Sequence, residues 1–361
     1  MTMSAELPSL NDTMREQQDL PALCADRMLQ TREICEPNAY YGNDYVLKLY
    51  AGLPLDRSLK CVIPHGIVFT EEKTWDAETN SMVPAVMVYP QWRCQAYRRN
   101  SSKFVVPGAA PFVYVRELLG SNIELKRNGT LFFLPHSTHW DNAEIDLQEI
   151  DARLRQLPVW MHPITICVYW KDFNLGQSRY FSRSGYRVVS AGHIFDRNFL
   201  FRLFHLCSQH EYSCGVELGG HIFSSIEAGC RYIHLSGVNT NYSTSLLKSS
   251  VDEFPFPDGV RSEIEEVFSI EGVAIERQKE IAGHFFCCEH KMTSSELRDF
   301  FLFCDALDRS GAGVWRKSRY YSFPMSWRRA GWATPKRRAR QGARRLLLKL
   351  SQLAKLRTSV D

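Results

Sequence analysis

The chain has 361 residues, with 44 Lys plus Arg against 40 Asp plus Glu and a formal net charge of +4. Hydrophobic residues make up 44% and charged residues 23%, an ordinary globular mixture that excludes intrinsic disorder, collagen-like repeats and a disulfide miniprotein. The charge is unevenly placed: from Ser326 to Asp361 eleven basic residues stand against one acid, a net +10 that leaves residues 1–325 at −6.

Residues 1–36 mix polar and helix-forming types without a clear period and read as a loosely attached leader. Glu6, Asp12 and Glu16 deny this stretch the basic start and apolar core of a signal peptide. Residues 44–52 have helical spacing and stop at Gly52. An apolar β-type run at 61–63 breaks at Pro64-His65-Gly66, and the charged stretch 70–82 reads as a loop. Strands are expected at 85–89 and 103–106, then a turn at Pro107-Gly108 and a helix over 112–119. From Gly129 onward, apolar runs at 130–134, 164–169, 186–190, 211–214 and 231–235 alternate with helical stretches at 145–157, 177–184, 198–210 and 220–228. Later helices are expected at 262–281 and 294–307.

Near-continuous apolar strands separated by helices imply a parallel sheet covered on both faces. The expected architecture is α/β: a leader over 1–36, a Rossmann-like domain over 37–125, a second over 126–310, and a basic amphipathic tail over 311–361. No apolar run approaches the roughly 20 residues that cross a bilayer. The eleven cysteines lack CxxC spacing and suit buried reduced thiols of a cytosolic protein better than disulfides or a structural metal.

In open parallel sheets, ligands bind beyond the carboxyl ends of the strands, so the loops there are where chemistry is sought. After the 61–63 run, His65 is a general-base candidate, because an imidazole titrates near neutrality; the alternative is a histidine that caps a turn. After 130–134, His136, Ser137 and Thr138 offer donors to a phosphate or sugar, or else cap a helix starting near Asn142. No third ligand joins His136 and His139, so no metal is expected there. Gly192-His193 ends a third run. The richest loop follows 211–214: Glu217, then Gly219-Gly220-His221 opening a helix whose first two turns carry Ser224, Ser225 and Glu227. Free N–H groups at such a start attract phosphate, and Glu227 suits a ribose hydroxyl; the alternative is an ordinary βαβ turn with a polar helix face.

This last stretch, a small-residue turn, a Ser-bearing helix, Glu227-Ala228-Gly229 and an apolar strand, resembles the nucleotide-binding segment of GT-B glycosyltransferases. The wider order over roughly residues 44–240 is similar to bacterial capsule and cell-surface polysaccharide transferases, including sialyl and Kdo transferases and CDP-glycerol glycerophosphotransferases. His65-Gly66 matches their His-Gly turn, Pro107 to Leu118 their turn and helix near the domain junction, and Leu131 to Thr138 the first donor-domain strand and its loop. His162-Pro163 departs from them, since it precedes its strand. The resemblance implies metal-independent transfer without a cofactor from a nucleotide-sugar donor. His65 would be the base, with His136, Ser137, Thr138, Gly219, Gly220 and His221 on the leaving phosphate and Glu217, Ser224, Ser225 and Glu227 on the nucleotide.

Residues 343–357 place Leu346, Leu350, Leu353 and Leu356 on one helical face beside a basic cluster, as in helices that bind anionic membranes; the alternative is a helix packed back on the body with a solvated basic face. An acidic body without a recognition motif argues against nucleic acid. The expected protein is a cytoplasmic enzyme, peripheral on the inner face of the cell membrane, that glycosylates a membrane-associated saccharide or lipid-linked acceptor. A nucleotide-sugar epimerase, another nucleotide-using enzyme of two such domains and a non-catalytic nucleotide-sugar binding protein are the alternatives.

Overall fold

The computed structural model describes residues 7–69, 72–120, 126–138, 141–238, 240–244, 262, 265–270 and 275–310. The basic tail expected over 311–361 lies outside the described residues, as do His139, Trp140 and part of the helix expected over 262–281.

Short helices α1 (Leu10–Glu16) and α2 (Leu20–Leu23) are followed by a 3-10 segment at Glu36–Gly42 and α3 (Asn43–Ala51). A three-stranded parallel sheet comes next, of β1 (Cys61–Val62), β2 (Ala85–Val88) and β3 (Phe104–Pro107), in that spatial order. Helices α4 (Asp76–Thr79) and α5 (Cys94–Asn100) connect its strands, and α6 (Pro111–Leu119) leaves it.

Beyond it run β4 (Thr130–Phe133), β5 (Asp141–Glu144), α7 (Leu147–Arg155), β6 (Ile164–Cys167), α8 (Trp170–Asn174), α9 (Gln177–Arg183) and β7 (Arg187–Val189). Then come α10 (Phe199–Ser208), β8 (Tyr212–Gly215), α11 (Gly220–Glu227), β9 (Arg231–His234) and β10 (Asn241–Thr244), and last α12 (Ile275–Phe285) and α13 (Ser294–Arg309). Five of these strands form an all-parallel sheet in the order β7-β6-β4-β8-β9. Counted along the chain that order is 3-2-1-4-5, a doubly wound, Rossmann-like arrangement whose direction reverses between β4 and β8.

Both faces of that sheet are covered, as its apolar strands require. Leu131 and Phe133 of β4 join a core with α10 and α11, while Phe132 and Leu134 pack with Ile150 and Leu154 of α7 and Phe181 of α9. The first core also holds Cys61, Ala85 and Met87 of the small sheet, so one apolar body runs from sheet to sheet. Helix α13 reaches back to α3, where Ser294 Oγ donates to Tyr50 O at 2.6 Å and Arg298 Nε to Ala51 O at 2.7 Å. All eleven cysteines are free thiols.

Two expectations are corrected. Residues 141–144 form a strand, not a helix start, because they pair antiparallel with Asn241–Thr244; the cap of α7 is Asp146, whose carboxylate accepts from the N–H groups of Gln148 and Glu149. The leader is not loosely attached over residues 7–35. Gln17 brackets the backbone of Ser190 with its amide, donating to the carbonyl at 2.9 Å and accepting from the N–H at 2.8 Å. Gln278 of α12 does the same to Tyr232, at 2.7 and 2.9 Å. Since β7 and β9 are the two edges of the five-stranded sheet, one glutamine satisfies backbone groups at each exposed edge.

The leader is further held by Arg202, whose side chain is 2% exposed and reaches Glu16 at 2.5 Å, Asp196 at 2.6 Å and the carbonyl of Ala191 at 2.7 Å. His205 of α10 bonds Thr13 through Nδ1 at 2.9 Å, and burial depresses its pKa to about 4. Replacing Arg202 with Ala removes both ion pairs, leaving Asp196 with Arg27 alone, and should lower the urea unfolding free energy by about 2 kcal/mol. A change within about 0.5 kcal/mol would contradict its part in holding the leader.

Candidate active site

The reversal between β4 and β8 opens a crevice at the carboxyl ends of the strands, the place where doubly wound sheets bind ligands. On the β4 side, Ser137 is fully buried. Its N–H donates to Asp172 at 2.9 and 3.2 Å, its hydroxyl donates to the same carboxylate at 2.6 Å, and it accepts from Ala143 N at 2.9 Å. Burial raises the Asp172 pKa, opposed by the bonds from Ser137 and the charge of His136. Thr138 is tied to Asp141, donating from its N–H at 2.8 Å and accepting through its hydroxyl at 3.0 Å. Both hydroxyls thus shape the loop, and His136 is left exposed, edge-on to Tyr169 with ring centres 5.2 Å apart.

On the β8 side, Glu217 accepts a hydrogen bond from the Tyr242 hydroxyl, and the Thr240 hydroxyl lies near it without a hydrogen bond among the described residues. Burial raises its pKa, while His136 across the crevice opposes the rise. His221 bonds the backbone of Glu217, and its buried Nε2 has no partner among the described residues. The bond to a carbonyl must therefore run from Nδ1–H, which leaves Nε2 as a bare acceptor. Burial, reinforced by the charges of His136 and His234, holds the pKa at about 3, so the ring is neutral. Gly215 permits this packing: a Cβ there would lie 3.1 Å from the Tyr232 hydroxyl and 3.2 Å from His221 Nε2. Gly219 precedes α11 without any side-chain cap, so the helix start faces the crevice with Gly219, Gly220 and His221.

The other predicted residues lie elsewhere. Ser225 accepts from Ser213 at 2.8 Å and donates to Ile222 O at 2.9 Å, binding α11 to β8. Ser224 is 7% exposed within the same helix. Glu227 is the last residue of α11, about 10 Å along the axis from its start. It faces Arg116 at 3.5 Å, and Arg127, just before β4, donates to the neighbouring Ala228 carbonyl at 2.7 Å. That end of α11 is thus at the amino ends of the strands, and Glu227 is not brought to the crevice.

His65 stands at the carboxyl end of the small sheet, a quarter exposed, with Nδ1 3.4 Å from the carboxylate of Glu78, which is itself 1% exposed. The Tyr97 hydroxyl donates to the other oxygen of Glu78. Sequence reasoning missed Glu78 because the charged stretch 70–82, read as a loop, carries no period that would reveal a buried acid or the single helical turn of α4. From His65 an unbroken run of rings crosses to the large sheet. Trp75 and Tyr40 each lie 5.6 Å from His65, Phe195 lies 5.5 Å from Tyr40, and His193 5.0 Å from Phe195. Trp170 follows at 4.0 Å, then Tyr169 at 6.0 Å, which touches His136. The three remaining candidate ligands of a metal that lie together among the described residues, Cys287, Glu289 and His290, sit on the turn after α12 and not in the crevice.

Fold and site together define an α/β protein with a Rossmann-like parallel sheet whose polar side chains converge at its switch point. No protein-family model matches the chain, and no curated protein matches it in sequence. Eleven chains of solved structures match; one, titled "Crystal structure of GtfA/B complex", aligns at 9% identity and a TM-score of 0.29. The alignment covers 73% of this chain and 55% of that one, about half its length. At that score the likeness carries no argument.

An imidazole held neutral by burial has a testable consequence. The unfolded chain takes up the His221 proton near pH 6.5 and the folded chain does not, so this residue makes stability fall as pH drops from about 6.5 towards about 3. Nitrogen-15 NMR should find His221 as the neutral Nδ1–H tautomer from about pH 7 to about pH 5. A charged imidazolium at about pH 6 would contradict the buried geometry.

Proposed function

We propose that the protein is a glycosyltransferase that moves a sugar from a nucleotide-sugar donor to a membrane-associated saccharide or lipid-linked acceptor. One observation carries the reading. A His–Glu pair at the carboxyl end of one parallel sheet is joined by continuous ring contacts to the switch-point crevice of a second. A two-substrate transfer needs such a pairing: a base for the acceptor on one side and a nucleotide cleft on the other. The sequence resemblance to GT-B polysaccharide transferases supports the same reading, with residues 37–125 as acceptor domain and 126–310 as donor domain.

In this reaction Glu78 orients His65 through Nδ1, and Nε2 takes the proton of the acceptor hydroxyl. The acceptor oxygen attacks the anomeric carbon as the bond from that carbon to the donor phosphate oxygen breaks. The nucleotide leaves with its negative charge towards His136 and the open start of α11 at Gly219-Gly220. Neutral His221, an acceptor at Nε2, suits a donor hydroxyl better than a phosphate, which offers only acceptors of its own. Glu217, steadied by Tyr242, is the carboxylate of the expected pair left to serve the nucleotide or sugar. The basic segment from Ser326 to Asp361, at +10, would hold the enzyme on an anionic membrane surface at about 1 kcal/mol for each basic residue in contact. Among the described residues no helix is long and apolar enough to cross a membrane.

His65→Ala should reduce turnover by about 10²-fold or more while leaving donor affinity within about twofold. Isothermal titration with the active donor and a radiolabelled transfer assay measure the two effects. Equal loss of both, or turnover unchanged, would overturn the assignment of His65 as base.

A further inference from the structure

Outside the crevice, a cleft of about 510 Å³ opens between the docked leader and helices α8 and α9. Its volume falls within the roughly 300–1,000 Å³ of small-molecule sites. One wall is a face of α9 carrying Ser178, Arg179, Ser182 and Arg183; Phe173 of α8 and Pro21 of α2 close it on the other sides. Asn174, at its rim, donates to the carbonyl of Cys24 at 2.9 Å and ties α8 to the leader.

No carboxylate lines this cleft. Arg179 and Arg183 are one helical turn apart and exposed, and neither makes an ion pair or hydrogen bond among the described residues. Arg15, Arg27, Arg32, Arg57, Arg155 and Arg202, by contrast, each face a carboxylate. Ser178 is only 5% exposed, yet its hydroxyl also makes no hydrogen bond among the described residues, and the cleft is the open space beside it. A largely buried serine whose hydroxyl opens onto the cleft and two unpaired guanidinium groups over one concave surface complement a group with several acceptor oxygens and negative charge. Guanidinium forks bind phosphate in this way, through paired N–H donors.

We infer that this cleft is a binding site for a phosphoryl group, separate from the switch-point crevice and independent of the transfer reaction proposed for it. The same chemistry could come from a soluble phosphate ester or from the headgroup of an anionic lipid, and the two are separable. Full-length protein is titrated calorimetrically with inorganic phosphate and with glucose 1-phosphate at low salt. Flotation with phosphatidylcholine vesicles, with and without phosphatidic acid, tests the headgroup. The variant is R179A/R183A, and R99A/R309A removes the same charge from exposed positions elsewhere.

The inference expects saturable binding of a phosphate probe or capture by phosphatidic acid vesicles. Either should weaken about tenfold or more in R179A/R183A and stay unchanged in R99A/R309A. Solution binding without vesicle capture identifies a soluble phosphate ester as the source; capture that depends on the two arginines identifies a headgroup. Absence of both, or equal loss in the two double variants, overturns the site. Ser178→Ala should weaken binding with no change in unfolding temperature, and unchanged affinity in this variant would overturn the site as a cleft built around that hydroxyl.

Discussion

The left-handed turn at Tyr41 and Gly42 seats the chain between the two sheets, and the candidate site depends on it. Gly42 has φ +75, and a Cβ there would lie 2.1 Å from the carbonyl oxygen of Arg197, so no other residue fits without moving backbone. Tyr41 beside it takes φ 59, a conformation that costs a non-glycine residue roughly 1–3 kcal/mol. Its N–H donates to Ile194 O at 2.6 Å and its ring packs 4.8 Å from Phe199, both on the large-sheet side. The strained turn thereby aims Tyr40 at His65 and Phe195 together. Without it, the histidine of one sheet and the crevice of the other would be two unrelated strand ends.

A second constraint works around this junction. The five-stranded sheet ends in two edges, and the amides of Gln17 and Gln278 each supply a donor and an acceptor to the edge backbone. These glutamines come from the leader and from α12, elements far apart in the chain. Segments outside the alternating βα pattern are therefore part of the sheet's hydrogen bonding, and Arg202 and His205 fix the leader that carries the first of them.

The parallel strands were legible because burial on both faces leaves an unmistakable apolar run, as in Thr130–Phe133 and Ile164–Cys167. The loops flanking the switch point were legible for the same reason, since they follow those runs. Strand β5 was not: Asp141, Asn142, Ala143 and Glu144 are polar enough to pass for a helix start, and only pairing with Asn241–Thr244, about a hundred positions away, makes them extended. Roles inside loops were equally hidden. Ser137 and Ser225 have the composition of ligand donors but spend their hydroxyls on Asp172 and on the join between α11 and β8. Glu227 looks close to Gly220 in sequence, and the helical rise carries it to the opposite end of the sheet. Glu78 became visible only through its contact with His65.

The crevice that results is electrostatically mixed. Two carboxyl groups raised by burial, Glu217 and Asp172, face an exposed His136, with a neutral His221 beneath. Such a surface offers both donors and acceptors, as a ligand combining phosphate with sugar hydroxyls would require. Hydrogen–deuterium exchange of the full chain with UDP-, GDP-, CMP- and CDP-linked sugars tests this most directly. The account predicts that one donor class slows exchange in both loops at the switch point, residues 135–138 and 216–222. Protection confined to other segments, or none with any donor, would contradict it.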